Sequence, residues 1–185
     1  MKQTPPLEPA PQKIGLIHLY EGDGKGKTTA AVGLAVRAAG QGLQVLVCQL
    51  LKGMESGEVS ALERLGIPVR RPMAGAKFLF QMSEAERREA AVLHRDCLTQ
   101  VCRLADSGQV DLLVLDEILD AIGCGLIPEE QLTTWLSHRP AGVEVVLTGR
   151  DPSPAIQALA DYHTRFQCVL HPYAAHIPAR RGIEY

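Results

Sequence analysis

Three observations predict an α/β fold, a mostly parallel sheet with helices on both faces. Short apolar runs alternate with helical patterns along almost the whole chain, the order that strand-helix-strand units impose. The runs, such as Leu43 to Leu51 and Val110 to Leu115, are nearly continuous, as strands are when both faces are covered. The first of them, Ile14 to Leu19, passes through a glycine-rich turn into an alanine-rich helical stretch, Ala30 to Ala39. With 185 residues, 46% of them hydrophobic, the chain is long enough for one domain with a substantial core.

Met1 to Gln12 carries Pro5, Pro6, Pro9 and Pro11 and cannot form a regular helix. Residues 1–12 are therefore expected to be a flexible tail or an arm that orders over a ligand, with 13–185 as a single domain. In the first strand, Ile14 to Leu19, His18 reads as a packed core histidine ahead of a ligand. The helix opening at Thr28 stops at Gly40 or Gly42. Leu43 to Leu51 is the second strand, ending at Lys52-Gly53. A helix over about Val59 to Leu65 is stopped by Gly66, and a brief strand follows from Ile67 to Arg71. Ser83 and Glu86 form a capping box, so a long helix starts there and runs to about Ala105. Val110 to Leu115 is a core strand ending in Asp116-Glu117. Pro128 suits the first turn of a helix containing Trp135. Val143 to Leu147 is a buried strand closed by Thr148-Gly149-Arg150, and a last helix-strand pair covers about Pro154 to Leu170. No repeat or domain boundary interrupts the series.

A net charge of -2 gives no reason to expect a nucleic-acid partner. No apolar run is long enough to cross a bilayer and the start lacks a signal peptide's apolar stretch, so a cytoplasmic protein without membrane partners is expected. The 5 cysteines are scattered without a Cys-x-x-Cys, which argues against a disulfide framework or a zinc site. Buried free thiols are expected, with a reactive thiol as the alternative. His94, His138, His171 and His176 show no ligand spacing and default to surface or loop positions.

Gly22-Asp23-Gly24-Lys25-Gly26-Lys27-Thr28-Thr29, between a strand and a helix, reads as a phosphate cradle of the RecA-like phosphate-loop NTPase type. Glycines let backbone N–H groups converge on one anion, and the start of the following helix adds positive potential. Lys27 would reach the phosphates and Thr28 would hold Mg²⁺. The slot that ordinarily carries the loop's first glycine is Glu21, so this cradle is shorter than usual. Asp116 and Glu117, closing an apolar strand, would meet Thr28 across the metal. Arg150, also at a strand end, could pair with phosphate oxygens, a structural arginine being the competing reading. An Asn-Lys-x-Asp guanine reader is missing, since Thr148-Gly149-Arg150-Asp151 keeps only its last residue. Read from residues alone, the chemistry is that of a magnesium-nucleotide enzyme or switch.

Gly22 to Ala31, Lys52-Gly53, Leu115-Asp116-Glu117, Leu147 to Arg150, His171-Pro172-Tyr173 and Arg181-Gly182-Ile183-Glu184-Tyr185 together resemble the ATP:corrinoid adenosyltransferases, whose phosphate loop has the same shortened form. The resemblance implies that a corrinoid cobalt, as Co(I), attacks C5′ of ATP and expels triphosphate, in adenosylcobalamin biosynthesis or salvage. It implies a polyphosphate held by Gly24 to Thr29, Mg²⁺ held by Thr28 and Glu117, and a nucleotide reversed along the loop. Phe78 and Phe80 stand where the family inserts aromatics beneath the corrin to make four-coordinate cobalt, the second being phenylalanine where the better-known form has tryptophan. Core packing is the competing reading for that pair. An electron donor such as a reduced flavoprotein and a homodimer are also implied. Asp161-Tyr162-His163 begins like the cobalt-ligating run of corrinoid carriers, but Phe166 occupies its glycine position. A phosphate-loop kinase or ATPase and a non-catalytic corrinoid-binding protein remain as alternatives.

Overall fold

The computed structural model describes residues 14–51, 56–72 and 81–184. The proline-rich tail lies outside them. A six-stranded sheet runs through the middle, in the order β3-β2-β4-β5-β1-β6. Its strands are β1 (Ile17–Glu21), β2 (Val45–Gln49), β3 (Val69–Arg70), β4 (Leu112–Asp116), β5 (Glu144–Gly149) and β6 (Tyr162–Arg165). Every pairing is parallel. The helices are α1 (Lys27–Gly40), α2 (Gly57–Arg64), α3 (Glu84–Asp106), α4 (Ile118–Gly123), α5 (Glu129–His138) and α6 (Pro154–Leu159). A short 3₁₀ turn at Pro172–Ala175 follows the last strand.

The continuous apolar runs are explained by burial on two sides. Along β4, Leu112 and Val114 pack with Ala31, Ala35 and Leu62 of α1 and α2. Leu113 and Leu115 turn to the other face, with Leu98, Val101, Ile118, Leu132 and Ile156 of α3, α4, α5 and α6. Side chains alternate across a strand, so a residue of either parity must be apolar when helices cover both faces. Ala31, Ala35 and Ala38 form the buried stripe of α1, small enough to bring its backbone close to the sheet. The capping box of α3 is present in both halves, Glu86 N–H donating to Ser83 Oγ and Ser83 N–H to Glu86 Oε2.

Several boundaries differ from expectation. β1 begins at Ile17 and continues through Glu21, because parallel pairing with β5 starts at Ile17↔Val145 and ends at Glu21↔Gly149. α4, unanticipated in the sequence, follows β4 through Glu117, a residue with left-handed backbone (φ 63). The last strand ends at Arg165, and its side chains are exposed because it is the sheet edge. His163 therefore lies on the edge strand.

His94 corrects the surface placement expected of it. It is buried on α3, its ring nitrogens each 2.6 Å from the carbonyls of Ala90 and Leu50. Cys48, Cys97 and Cys102 are buried free thiols, but Cys124 is exposed and Cys168 partly so. Those two lie on connections after α4 and β6, outside the apolar layers that cover the first three. His18 sits at the sheet, stacked on Tyr162 at 4.5 Å and 2.5 Å from Glu144 Oε1.

Candidate functional site

The carboxyl ends of β1, β5 and β4 are consecutive in the sheet, so the segments that follow them share one rim. That rim encloses a cavity of about 780 Å³, lined by Asp23 to Thr29, Glu58, Glu117, Asp120, Thr148, Arg150 and the C-terminal Gly182 to Glu184. Ligands of parallel sheets bind at this end.

The short loop has a structural cause. Because β1 extends through Glu21, the loop proper is Gly22 to Gly26. Glu21 is 4% exposed, and its Oε1 accepts from Arg165 Nε at 2.5 Å and faces His163 Nε2 at 3.3 Å. Burial pushes its carboxyl upward, but the Arg165 and His163 hydrogen bonds and charges outweigh that and leave it below the ordinary value. Behind the loop runs the chain after β6. Phe166 N–H donates to Glu21 O and Phe166 O accepts from Gly24 N–H, both at 2.7 Å. A Cβ on Gly22 would lie 2.4 Å from Phe166 O, and one on Gly24 2.7 Å from Phe166 C. Close backbone approach is thus why both are glycine.

Lys27, the first residue of α1, donates to the carbonyls of Gly22 at 2.6 Å and Gly24 at 2.9 Å. Burial lowers the pKa of its ammonium, and Arg150 lowers it further, against the pull of Asp120, Asp23 and Glu117. A desolvated cation beside a second cation favours an anion between them. Thr28 Oγ donates to Asp116 Oδ1 at 2.9 Å, and Thr148 Oγ donates to the same oxygen at 2.8 Å. Thr148 Oγ in turn accepts from Glu117 N–H at 2.8 Å. Asp116 is 1% exposed and lies behind the cavity wall, whereas Glu117 is on it. This donor set fits Mg²⁺: a hydroxyl and carboxylates are hard oxygens, and Mg²⁺ keeps waters and phosphate oxygens for its other positions. Among the described residues no cluster of three or more His, Cys, Asp or Glu side chains could form an all-protein cage.

The predicted residues thus converge, with some differences of role. Gly22, the first residue of the loop, is not among the residues lining the cavity, and its N–H donates to Gly149 O at 3.2 Å. Asp23 lines the cavity while accepting from Cys168 N–H at 3.0 Å. Lys25 lines it too, its ammonium 2.8 Å from Glu184 Oε1. Hydrogen bonds from Arg180 and Lys25 hold the Glu184 carboxyl down at about 2. Gly24, Gly26, Thr29 and Arg150 line the cavity. Phe78, Phe80 and Lys52-Gly53 lie outside the described residues.

Sequence reading missed Asp120 and Glu58 on the cavity wall. Burial raises the pKa of Asp120, while Arg150 and Lys27 pull it down. Its spacing of one helical turn from Glu117 was a usable signal once α4 was known. Glu58, on α2, carried none: the fold alone brings it to the rim.

A family model described as ATP:corrinoid adenosyltransferase BtuR/CobO/CobP matches residues 13–185. The chain is 33% identical over 177 residues to the corrinoid adenosyltransferase of Escherichia coli (strain K12), covering 95% of this chain and 88% of that protein. It is equally 33% identical to corrinoid adenosyltransferase CobA of Salmonella typhimurium (strain LT2) over 177 residues, with 95% and 88% covered. To the corrinoid adenosyltransferase of Pseudomonas aeruginosa it is 33% identical over 172 residues, with 92% and 84% covered.

Proposed function

Because this chain belongs to the ATP:corrinoid adenosyltransferase family, we propose that it transfers the 5′-deoxyadenosyl group of ATP to a Co(I) corrinoid, cobyrinic acid a,c-diamide or cobalamin. The observation that carries this reading is the convergence of Lys27, Thr28 and Arg150 with the loop amides on one cavity of about 780 Å³. The electron pair of Co(I) forms the cobalt–carbon bond as the C5′–oxygen bond breaks, and triphosphate leaves with the oxygen. Such a nucleophile needs no general base, so the work of the protein is alignment and stabilisation of charge on the leaving group.

Lys25, Lys27, Arg150 and the N–H groups of Lys25 to Thr29 are assigned to the triphosphate, with the nucleotide reversed along the loop so that C5′ meets the incoming cobalt. Mg²⁺ would be held by Thr28 with Glu117, Asp116 standing behind Thr28, and would supply further positive charge to the phosphates. Lys27 does not need a deprotonated form in this scheme, since it acts only as a cation. Phe78 and Phe80 are assigned to displacement of the lower cobalt ligand, an electron donor such as a reduced flavoprotein to the Co(II) to Co(I) step. A cytoplasmic homodimer completes the proposal.

The test is anaerobic mixing of protein, Mg-ATP and Co(I) corrinoid. A light-sensitive alkyl-cobalt spectrum with one equivalent of triphosphate is expected; ADP without alkyl-cobalt would mean phosphoryl transfer instead.

A further inference from the structure

The last residue of β2, Gln49, is 1% exposed and stands in register with Asp116 of β4. It is not among the residues lining the cavity. Its amide touches groups from three directions. Arg71, just beyond β3, donates to Gln49 Oε1 from Nε at 3.0 Å and from Nη2 at 2.5 Å. Gln49 Nε2 donates to Glu58 Oε1 at 3.1 Å and, over a longer 3.4 Å, to Asp116 Oδ2. A guanidinium can only donate and an ionised carboxylate can only accept, so these neighbours admit one of the two amide orientations. Arginine thereby sets the direction in which the glutamine donates.

That direction matters because the two oxygens of Asp116 have different tasks. Oδ1 receives the hydroxyls of Thr28 and Thr148, and Oδ2 faces Gln49. We propose that Gln49 is a positioning residue of the metal-nucleotide site. It holds Asp116 so that Oδ1 stays aimed at Thr28, and it fixes Glu58 on the facing wall through the same nitrogen. Glutamate at this position would place a third carboxylate beside Asp116 and Glu58, and an apolar residue would deprive both of a donor. The inference rests on the reading of Thr28 and Asp116 as the metal end of the nucleotide site.

Mn²⁺ with ATP is the probe, its binding to the full chain followed by water-proton relaxation and ATP binding in EDTA followed by calorimetry. Gln49→Met should weaken Mn²⁺ binding in the ATP complex by about 10-fold or more, as loss of an outer-shell partner does. Metal-free ATP binding should change by less than about 2-fold in the same variant, which a general loss of structure would not spare. Arg71→Met leaves the amide in place but lets it turn, and should give a smaller loss of the same kind. If Gln49→Met fails to fold, this variant carries the test alone. The double variant should be no worse than Gln49→Met, because both changes act through one group. Unchanged Mn²⁺ affinity in both variants, or equal weakening with and without metal, overturns the role of Gln49. ATP binding by the unaltered protein that is indifferent to Mn²⁺ overturns the metal-site reading and this inference together.

Discussion

Glu21 stands where a phosphate loop ordinarily has glycine, and its surroundings explain how a carboxylate is tolerated there. It is inside a strand, 4% exposed, and bonded to Arg165 and His163 of the neighbouring strand. Its folded pKa is lowered from 4.5, so the unfolded chain holds that proton more tightly. The stabilisation is therefore complete above about pH 4.5 and disappears as pH falls through the lower folded value. The gap in urea midpoint between the native chain and Glu21→Gln should be wide at about pH 5.5 and narrow below 4.5. A gap as wide at about pH 3 would contradict the ion-pair account. Lys27 carries a second residue-level prediction. Lys27→Ala should slow single-turnover adenosylation from Co(I) by about 10²–10³-fold, the usual effect of removing a charge-stabilising donor. Near-normal rates would remove its role. Phe80→Ala should impair the route from Co(II) far more than the route from prereduced Co(I), and equal losses would end the wedge assignment.

Among the elements, the phosphate loop is half of a two-part device whose other half is the chain at Phe166. The ring of Phe166 meets Tyr20 at 5.9 Å and its backbone occupies the space that side chains at 22 and 24 would need. Gly22 also has φ +116, outside the range of ordinary L residues. Gly22→Ala should thus cost about 2 kcal/mol or more in urea denaturation, from strain and backbone overlap together. Gly33, exposed on α1 with nothing within 4 Å of an added Cβ, is the control. Gly33→Ala should raise stability by about 0.5–1 kcal/mol. A similar result at both positions would mean that the loop does not depend on the Phe166 segment.

For the molecule as a whole, the sheet order sets the chemistry by placing β5 between β1 and β4. The parallel register aligns Tyr20 with Thr148 and Leu115 with Leu147, so Thr148 can reach Asp116 from the strand between. The C-terminal chain then closes the fourth side, with Glu184 on Lys25 and Arg180 on Glu184. Deleting residues 180–185 should leave the thermal midpoint nearly unchanged, since residues 180–184 are exposed, yet raise the KM for ATP several-fold. An unchanged KM would show that this wall is not part of the nucleotide site.

The parallel sheet, the phosphate loop, the capping box at Ser83 and the carboxylates at the end of β4 were all legible in the sequence. Each is a local pattern, written in residues a few positions apart and enforced by backbone geometry, burial of both strand faces or helix-end hydrogen bonding. The end of β1, the burial of His94, the presence of Glu58 and Asp120 at the cavity, and the Gln49 network were not. Glu58 and Gln49 are linked by a hydrogen bond, but its partner Asp116 is 67 residues from Gln49, and Phe166 is far in sequence from the loop it supports. Strand order and register bring such residues together, and those follow from packing the whole core. Spacing along the chain thus determines which polar groups stand at the loop and the strand ends, while the tertiary structure decides which of them face the cavity and which hold the others in place, because orientation depends on neighbours that no local pattern specifies.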